Sequence, residues 1–261
     1  MKRAGIRAQA NVQADSPGDR ASQVARATLG LRELLLRGTF RPGQRIAEIP
    51  LSAKLGVSRT PLRLAFEKLE HEGLIKALPH SGFAANEFTV PDIWNAIETR
   101  GILEGASNRL AAERLNNPTQ LEPLRKINRV MANISTVEFE SFGKYLDLNE
   151  AFHLVILNLA DNQILRRALE QVYKFPFATP SSRALLPMTL RAARELVPIA
   201  EEHHNALIDA IEHREGARAE SLGREHAQLT RRNLEAALAD PNFVTTIPGA
   251  RLIKVRSTGH T

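Results

Sequence analysis

LGVSRTPLRLAFEKLEHEG, Leu55 to Gly73, is the stretch from which the rest of the chain can be read. Gly56 supplies a turn, because a residue without Cβ takes positive φ with little strain. Ser58 stands where its hydroxyl would cap a helix by accepting from a free backbone N–H. Leu62, Ala65, Phe66 and Leu69 recur at spacings of three and four, which puts them on one buried face. Gly73 ends the helix as a C-cap residue. The polar start of that helix carries Ser58, Arg59, Thr60 and Arg63. A helix N-terminus attracts phosphate, and arginine donates two hydrogen bonds to guanine, so the segment suits the major groove of double-stranded DNA.

Upstream, Val24, Ala27, Leu31, Leu34 and Leu35 mark the inner stripe of a helix from Val24 to Arg37. Gly38 ends it, and Arg41-Pro42-Gly43 forms a turn. Ile46 to Leu55 reads as a short second helix with Ile49, Ala53 and Leu55 inward, Pro50 lying early enough to be tolerated. Downstream, Leu74–Leu78 and Phe83–Ala85 read as two short strands around Pro79-His80-Ser81-Gly82. That is the β-hairpin of a winged helix, with Gly82 at the tip where backbone can approach a phosphate.

The charge distribution agrees. Residues 1–88 hold 14 Lys/Arg against 8 Asp/Glu, whereas residues 89–261 hold 21 of each. The whole net charge of +6 therefore lies around the helix just described, a field that steers a module toward a polyanion. The absence of cysteine excludes disulfides and thiolate metal sites. No apolar run approaches the ~20 residues that span a bilayer, and residues 1–20 lack the apolar core of a signal peptide. A soluble, cytoplasmic protein without membrane contact is expected.

The match of LRELLLRGTFRPGQRI, LSAKLGVSRTPLRLAFEKLEHEGLI and LPHSGF makes residues 24–88 resemble the winged helix of the GntR family of bacterial repressors. The resemblance implies that Ser58, Arg59, Thr60 and Arg63 contact an operator and that the wing near His80–Gly82 enters the minor groove. Leu64 departs from the family, which has Glu after the arginine.

The remainder reads as helix. Thr89 and Pro91 open a helix from Asp92 to Leu115 with Ile93, Ile97, Ile102, Ala106 and Leu110 apolar around a break at Gly101. Further helices are expected from Pro118 to Ile134, Phe139 to Leu159, Asn162 to Lys174, Arg191 to His213 and Gly216 to Ala239. Residues 175–190, with Pro176, Pro180 and Pro187, read as a kinked connection. The expected architecture is mainly α: a disordered arm over 1–22, a winged helix-turn-helix over 23–88, an all-helical antiparallel bundle over 89–241 and an irregular tail over 242–261.

His153, His204 and His226 lie on three different helices of that bundle and can converge on a divalent cation, zinc or nickel by the softness of imidazole. Spacing alone does not choose between His203 and His204, about 100° apart on one helix. Here the chain is similar to the FCD effector domain of the FadR-type GntR subfamily, through ETRGILEGASNRLAAERL, through N-E-A-F-H, and through H-x-x-L-I-x-A-I with a histidine twenty-two residues on. The resemblance places His153, His204 and His226 on the metal-binding histidines and Asn149 on the position of an acidic ligand, with Glu150 as fallback. It also places Arg100 in an effector pocket, where a guanidinium binds carboxylate in bidentate fashion.

These readings together imply a non-enzymatic, DNA-binding regulator, a repressor released by a small carboxylate near a metal, and the family resemblance implies that it acts as a homodimer on a pseudo-palindromic operator. A metal-responsive repressor and, more remotely, a metal-dependent hydrolase using Glu150 or Glu202 as base are the alternatives.

Overall fold

The computed structural model describes residues 17–80, 82–134, 139–175, 178–180, 186–239, 242 and 250–254. Residues 1–16 of the expected arm, Ser81 of the wing, Pro176 and most of the tail lie outside the described residues.

The first helix, α1, runs from Pro17 to Leu36 and so begins well before Val24. Proline at the first helical position has its φ preset and lacks only an N–H that has no intrahelical partner, while Asp19 complements the positive helix end. Residues 17–22 thus belong to this helix and not to an arm. Its inner face presents Ala27, Leu31 and Leu35, all fully buried.

A two-residue strand β1 (Arg45–Ile46) precedes α2 (Glu48–Leu55). Ile46 is the buried residue of a strand, so the second helix starts later than its apolar spacing suggested. The rotation that follows leaves Ile49 65% exposed and Ala53 in solvent, and Leu51 takes the inward position. The turn at Gly56 is left-handed, φ 61°, and leads into α3 (Arg59–His71). Leu62, Ala65, Phe66 and Leu69 are buried there as expected, with Phe66 stacked on Phe83 at 4.7 Å. Gly73, one residue past the C-cap Glu72, takes φ 72° and ends the helix.

Strands β2 (Ile75–Ala77) and β3 (Phe83–Ala85) form the wing. β3 lies in the centre of an antiparallel sheet, pairing Lys76 with Ala84 on one side and Arg45 with Ala84 on the other. The N-terminal region is a winged helix with a three-stranded sheet.

A short strand β4 (Phe88–Thr89) leads into α4 (Val90–Arg114), opened by a reciprocal Thr89–Asp92 capping box with Pro91 beside it. α5 (Glu122–Met131), α6 (Phe139–Leu159), α7 (Gln163–Val172), α8 (Leu186–Glu212) and α9 (Gly216–Leu238) complete the helical region. α8 starts five residues before the expected Arg191, because Pro187 sits in its first turn, where the missing N–H is tolerated.

α4 and α9 pack most closely. A Cβ on Gly105 would lie 2.8 Å from the Glu220 carbonyl oxygen, and one on Gly101 would touch the Ala227 methyl at 3.0 Å. The break at Gly101 is therefore a contact surface, and the buried stripe of α4 runs through Arg100, Glu104, Ser107 and Asn108. Ile102, expected on that stripe, is 45% exposed.

The tail is not irregular throughout. Ala250–Leu252 forms a 3-10 turn and β5 (Ile253–Lys254) pairs in parallel with β4, Phe88 opposite Ile253. Ala250, Leu252 and Ile253 join Leu31, Phe66, Ile93 and Leu234 in one core that spans both regions.

Candidate reading surface and histidine centre

α3 projects Ser58, Arg59, Thr60 and Arg63 into solvent while its opposite face is locked into the core. Ser58 occupies the N-cap with extended backbone, φ −75° and ψ 171°, but its hydroxyl makes no capping bond, contrary to expectation. The first N–H groups of the helix thus stay available to an anion such as a phosphate. Arg63 is exposed and its Nε lies 3.3 Å from Glu48 Oε2 on α2. His80 is exposed at the wing, and Gly82 holds φ 87°. Sequence reading passed over Arg45. The β1–β3 register sets it beside the wing tip, where a Cβ on Gly82 would stand 3.3 Å from its guanidinium.

The second centre is buried. His153 of α6, His204 of α8 and His226 of α9 bring one ring nitrogen each within 4.8 Å of one another. His153 Nε2 and His226 Nε2 are 3.2 Å apart. Two imidazole nitrogens bound tetrahedrally to zinc at its usual bond length would stand about 3.3 Å apart, so this spacing fits a metal. Both nitrogens of His204 are buried without a hydrogen-bond partner, and so is His226 Nδ1. An unsatisfied buried N–H costs about 1–3 kcal/mol, which a metal bond at one ring nitrogen would partly offset. The rings are held by packing, His204 against Phe152 at 4.2 Å and against His226 at 4.7 Å.

Burial, reinforced by the Arg100 charge, pushes His153 down to about 3, and burial likewise drives His204 and His226 well below the ordinary imidazole range. All three are neutral at neutral pH, the form that ligates. The geometry selects His204 over His203, whose Nε2 faces Glu225 at 4.0 Å. Asn149, one helical turn before His153, is buried and donates Nδ2 to the Pro180 carbonyl at 3.3 Å, which leaves its oxygen free to turn to a ligand. Glu150 is exposed and lies outside the cluster.

Beside His226 opens a cavity of about 80 Å³ lined by Asn149, Pro180, Thr230, Asn233 and Tyr145 together with apolar side chains such as Phe142 and Leu229. Tyr145 Oη and Asn233 Oδ1 are buried there without partners. Arg100 is not among the lining residues. It lies one layer behind, 1% exposed, donating to Thr230 Oγ1 at 3.0 Å and to the carbonyls of Ala178 and Ala227. Its Nε is 3.5 Å from Glu104 Oε2, and Glu104 accepts from the Tyr173 hydroxyl at 2.9 Å. Tyr145, Tyr173, Thr230 and Asn233 carried no sequence signal, since each lies within a helix pattern explained by packing.

No helix among the described residues is long and apolar enough to cross a membrane. Residues 95–229 match the FCD domain, and residues 23–84 match the bacterial regulatory proteins of the gntR family. The Nta operon transcriptional regulator of Aminobacter aminovorans is 34% identical over 51% of this chain and 61% of its own length. The chain thus spans about three fifths of that relative. An uncharacterized HTH-type transcriptional regulator of Mycobacterium tuberculosis, MT0049, is 30% identical over 83% of this chain and 87% of its own. Lar, described as controlling the Listeria monocytogenes agr system, shares the fold with a TM-score of 0.61 at 19% identity, covering 85% of this chain and 99% of that one.

Proposed function

The chain belongs to the gntR family of bacterial regulatory proteins and carries its FCD domain, and from that membership we propose a DNA-binding transcriptional repressor. One observation carries the reading. Arg59, Thr60 and Arg63 stand exposed at the uncapped start of a helix whose other face is fixed in the core, within residues 1–88, which hold 14 Lys/Arg against 8 Asp/Glu. His80 and Gly82 of the wing, with Arg45 next to them, supply contacts to the adjacent groove. The chain acts as a homodimer whose two reading helices meet half-sites of a short pseudo-palindrome about one helical turn or less apart.

The input is a small carboxylate seated in the cavity beside His226, with a divalent cation, zinc or nickel, held by His153, His204 and His226 and the Asn149 oxygen. The metal supplies the positive charge that a carboxylate needs in a buried site. Arg100 acts at second hand, orienting Thr230. Ligand binding favours one arrangement of the helical region and changes the spacing of the two winged helices. The test is operator affinity at fixed salt, on DNA selected from a random pool, for zinc-loaded chain across a panel of small monocarboxylates. Affinity that no member of the panel changes would defeat the coupling.

The neutral Asn149 at the fourth position favours a second reading, in which the metal is itself the signal. Titrating zinc without any organic ligand separates the two. Hydrolysis needs a base beside a metal-bound water. Glu150 and Glu202, the bases named for it, are both exposed and outside the histidine cluster.

A further inference from the structure

Arg100 spends its donors on three acceptors. Nη1 meets the Ala178 carbonyl at 3.0 Å, and Nη2 meets the Ala227 carbonyl at 3.1 Å and Thr230 Oγ1 at 3.0 Å. Its Nε and Glu104 Oε2 face each other at 3.5 Å with no hydrogen bond between them and none elsewhere. The guanidinium therefore has a second arrangement close at hand. If it lost its hold on α9 it would close on Glu104. Ala227 follows His226 directly, and Thr230 lines the cavity, so an occupant of that centre acts on both acceptors.

Glu104 in turn fixes Tyr173 through its other oxygen. Tyr173 is the C-cap residue of α7, and the two residues after it lie against the DNA-reading region. A Cβ on Gly73 would lie 2.9 Å from the Lys174 carbonyl oxygen, so the backbone there is packed directly on the end of α3. Lys174 Nζ is 3.4 Å from His71 Nδ1. Phe175 meets Phe88 edge-on at 5.7 Å, at the strand that β5 completes.

We infer that Tyr173, Lys174 and Phe175 transmit the state of the histidine cavity to the end of the reading helix, with the Tyr173 hydroxyl as the positioning group that joins the relay to Glu104. The inference rests on the reading of the cavity as a ligand site. When Arg100 turns from Thr230 and Ala227 toward Glu104, the carboxylate gains a stronger partner and holds Tyr173 less tightly. The end of α7 then shifts, and because Gly73 offers no clearance the shift passes to His71–Leu74. Packed interfaces of this kind switch between discrete arrangements and do not deform continuously.

The experiment is amide hydrogen exchange on the full chain, zinc-saturated and EDTA-treated, for the wild type, Tyr173→Phe and Phe175→Leu. In the wild type zinc changes exchange both at residues 223–230 and at residues 71–75. In each variant the change at 223–230 persists and the change at 71–75 is lost. Phe175→Leu leaves the buried network intact and serves if Tyr173→Phe folds poorly. Persistence of the change at 71–75 in the folded variants overturns the relay. A wild-type response confined to 223–230 also overturns it while leaving the cavity reading in place. No response at 223–230 overturns the cavity reading and the relay together.

Discussion

Arg63 Nε on α3 faces Glu48 Oε2 on α2 at 3.3 Å, and the arginine side chain is 67% exposed. An ion pair this exposed contributes about 0–1 kcal/mol, so the guanidinium leaves Glu48 for a better partner at little cost. Arg63→Ala should weaken operator binding by about 1–3 kcal/mol and flatten the preference over random DNA, if it reads a base. Fluorescence anisotropy on the two DNAs decides; equal weakening on both would show a phosphate contact. Glu48→Gln should leave specificity intact.

Salt is a separate check on the same surface. With Arg59, Arg63 and Arg45 on phosphates or bases, the logarithm of the binding constant should fall steeply against the logarithm of salt, by about 0.9 for each phosphate neutralised. A flat response would contradict a basic interface.

For the histidine centre, zinc at about a hundredfold excess over its Kd should stabilise the chain by roughly 2.7 kcal/mol. His204→Ala should lose that increment, and native mass spectrometry should show one fewer bound metal per chain. Zinc stabilisation unchanged in His204→Ala would place the metal elsewhere.

The metal-free chain should also be acid-sensitive. His153, His204 and His226 have folded-state values depressed below the unfolded one, chiefly by burial. Their neutral forms cost nothing above pH ~6.5. Below it the unfolded chain takes up protons that the folded chain refuses. Stability is therefore lost as pH falls from ~6.5 toward the folded values, by about 1.4 kcal/mol per pH unit per histidine. Denaturant melts of EDTA-treated protein between pH 7 and 5 measure this slope, and His204→Ala should reduce it by one proton.

The α4–α9 contact gives a stability test free of ligands. Gly105→Ala sets a Cβ against the backbone oxygen of Glu220, which no side-chain rotation relieves. Overpacking of this kind costs about 1–3 kcal/mol, or about 2–4 °C in Tm per kcal/mol for a chain this size. An unchanged Tm would mean that the helices can separate freely at that point.

Legibility followed the physics of each element. The reading helix was visible because its apolar stripe, its glycine stops and its cationic start all agree. The histidines of α6 and α9 were visible as polar residues on apolar faces, while the choice of His204 over His203 needed family resemblance; in the structure it is His204 that lies with His153 and His226. The inner face of α4 was misread at Ile102, because apolar periodicity cannot register a stripe made of Arg100, Glu104 and glycines. Ile49 was misread for a different reason: a two-residue strand carries no period, so Ile46 was counted into the helix. The Tyr173 link joins residues 69 positions apart, a pairing that no local pattern records.

Strand β5 carries one more consequence. Ile253 pairs with Phe88, and with Ala250 and Leu252 it closes a core begun by Leu31 and Leu35. Domains emerging from a ribosome generally fold in order from the N-terminus. Here the first module made lacks part of its interior until residues 250–253 arrive. The winged helix therefore completes its core only after residues 89–249 have been synthesised, and a product cut before Ala250 should hold it less stably.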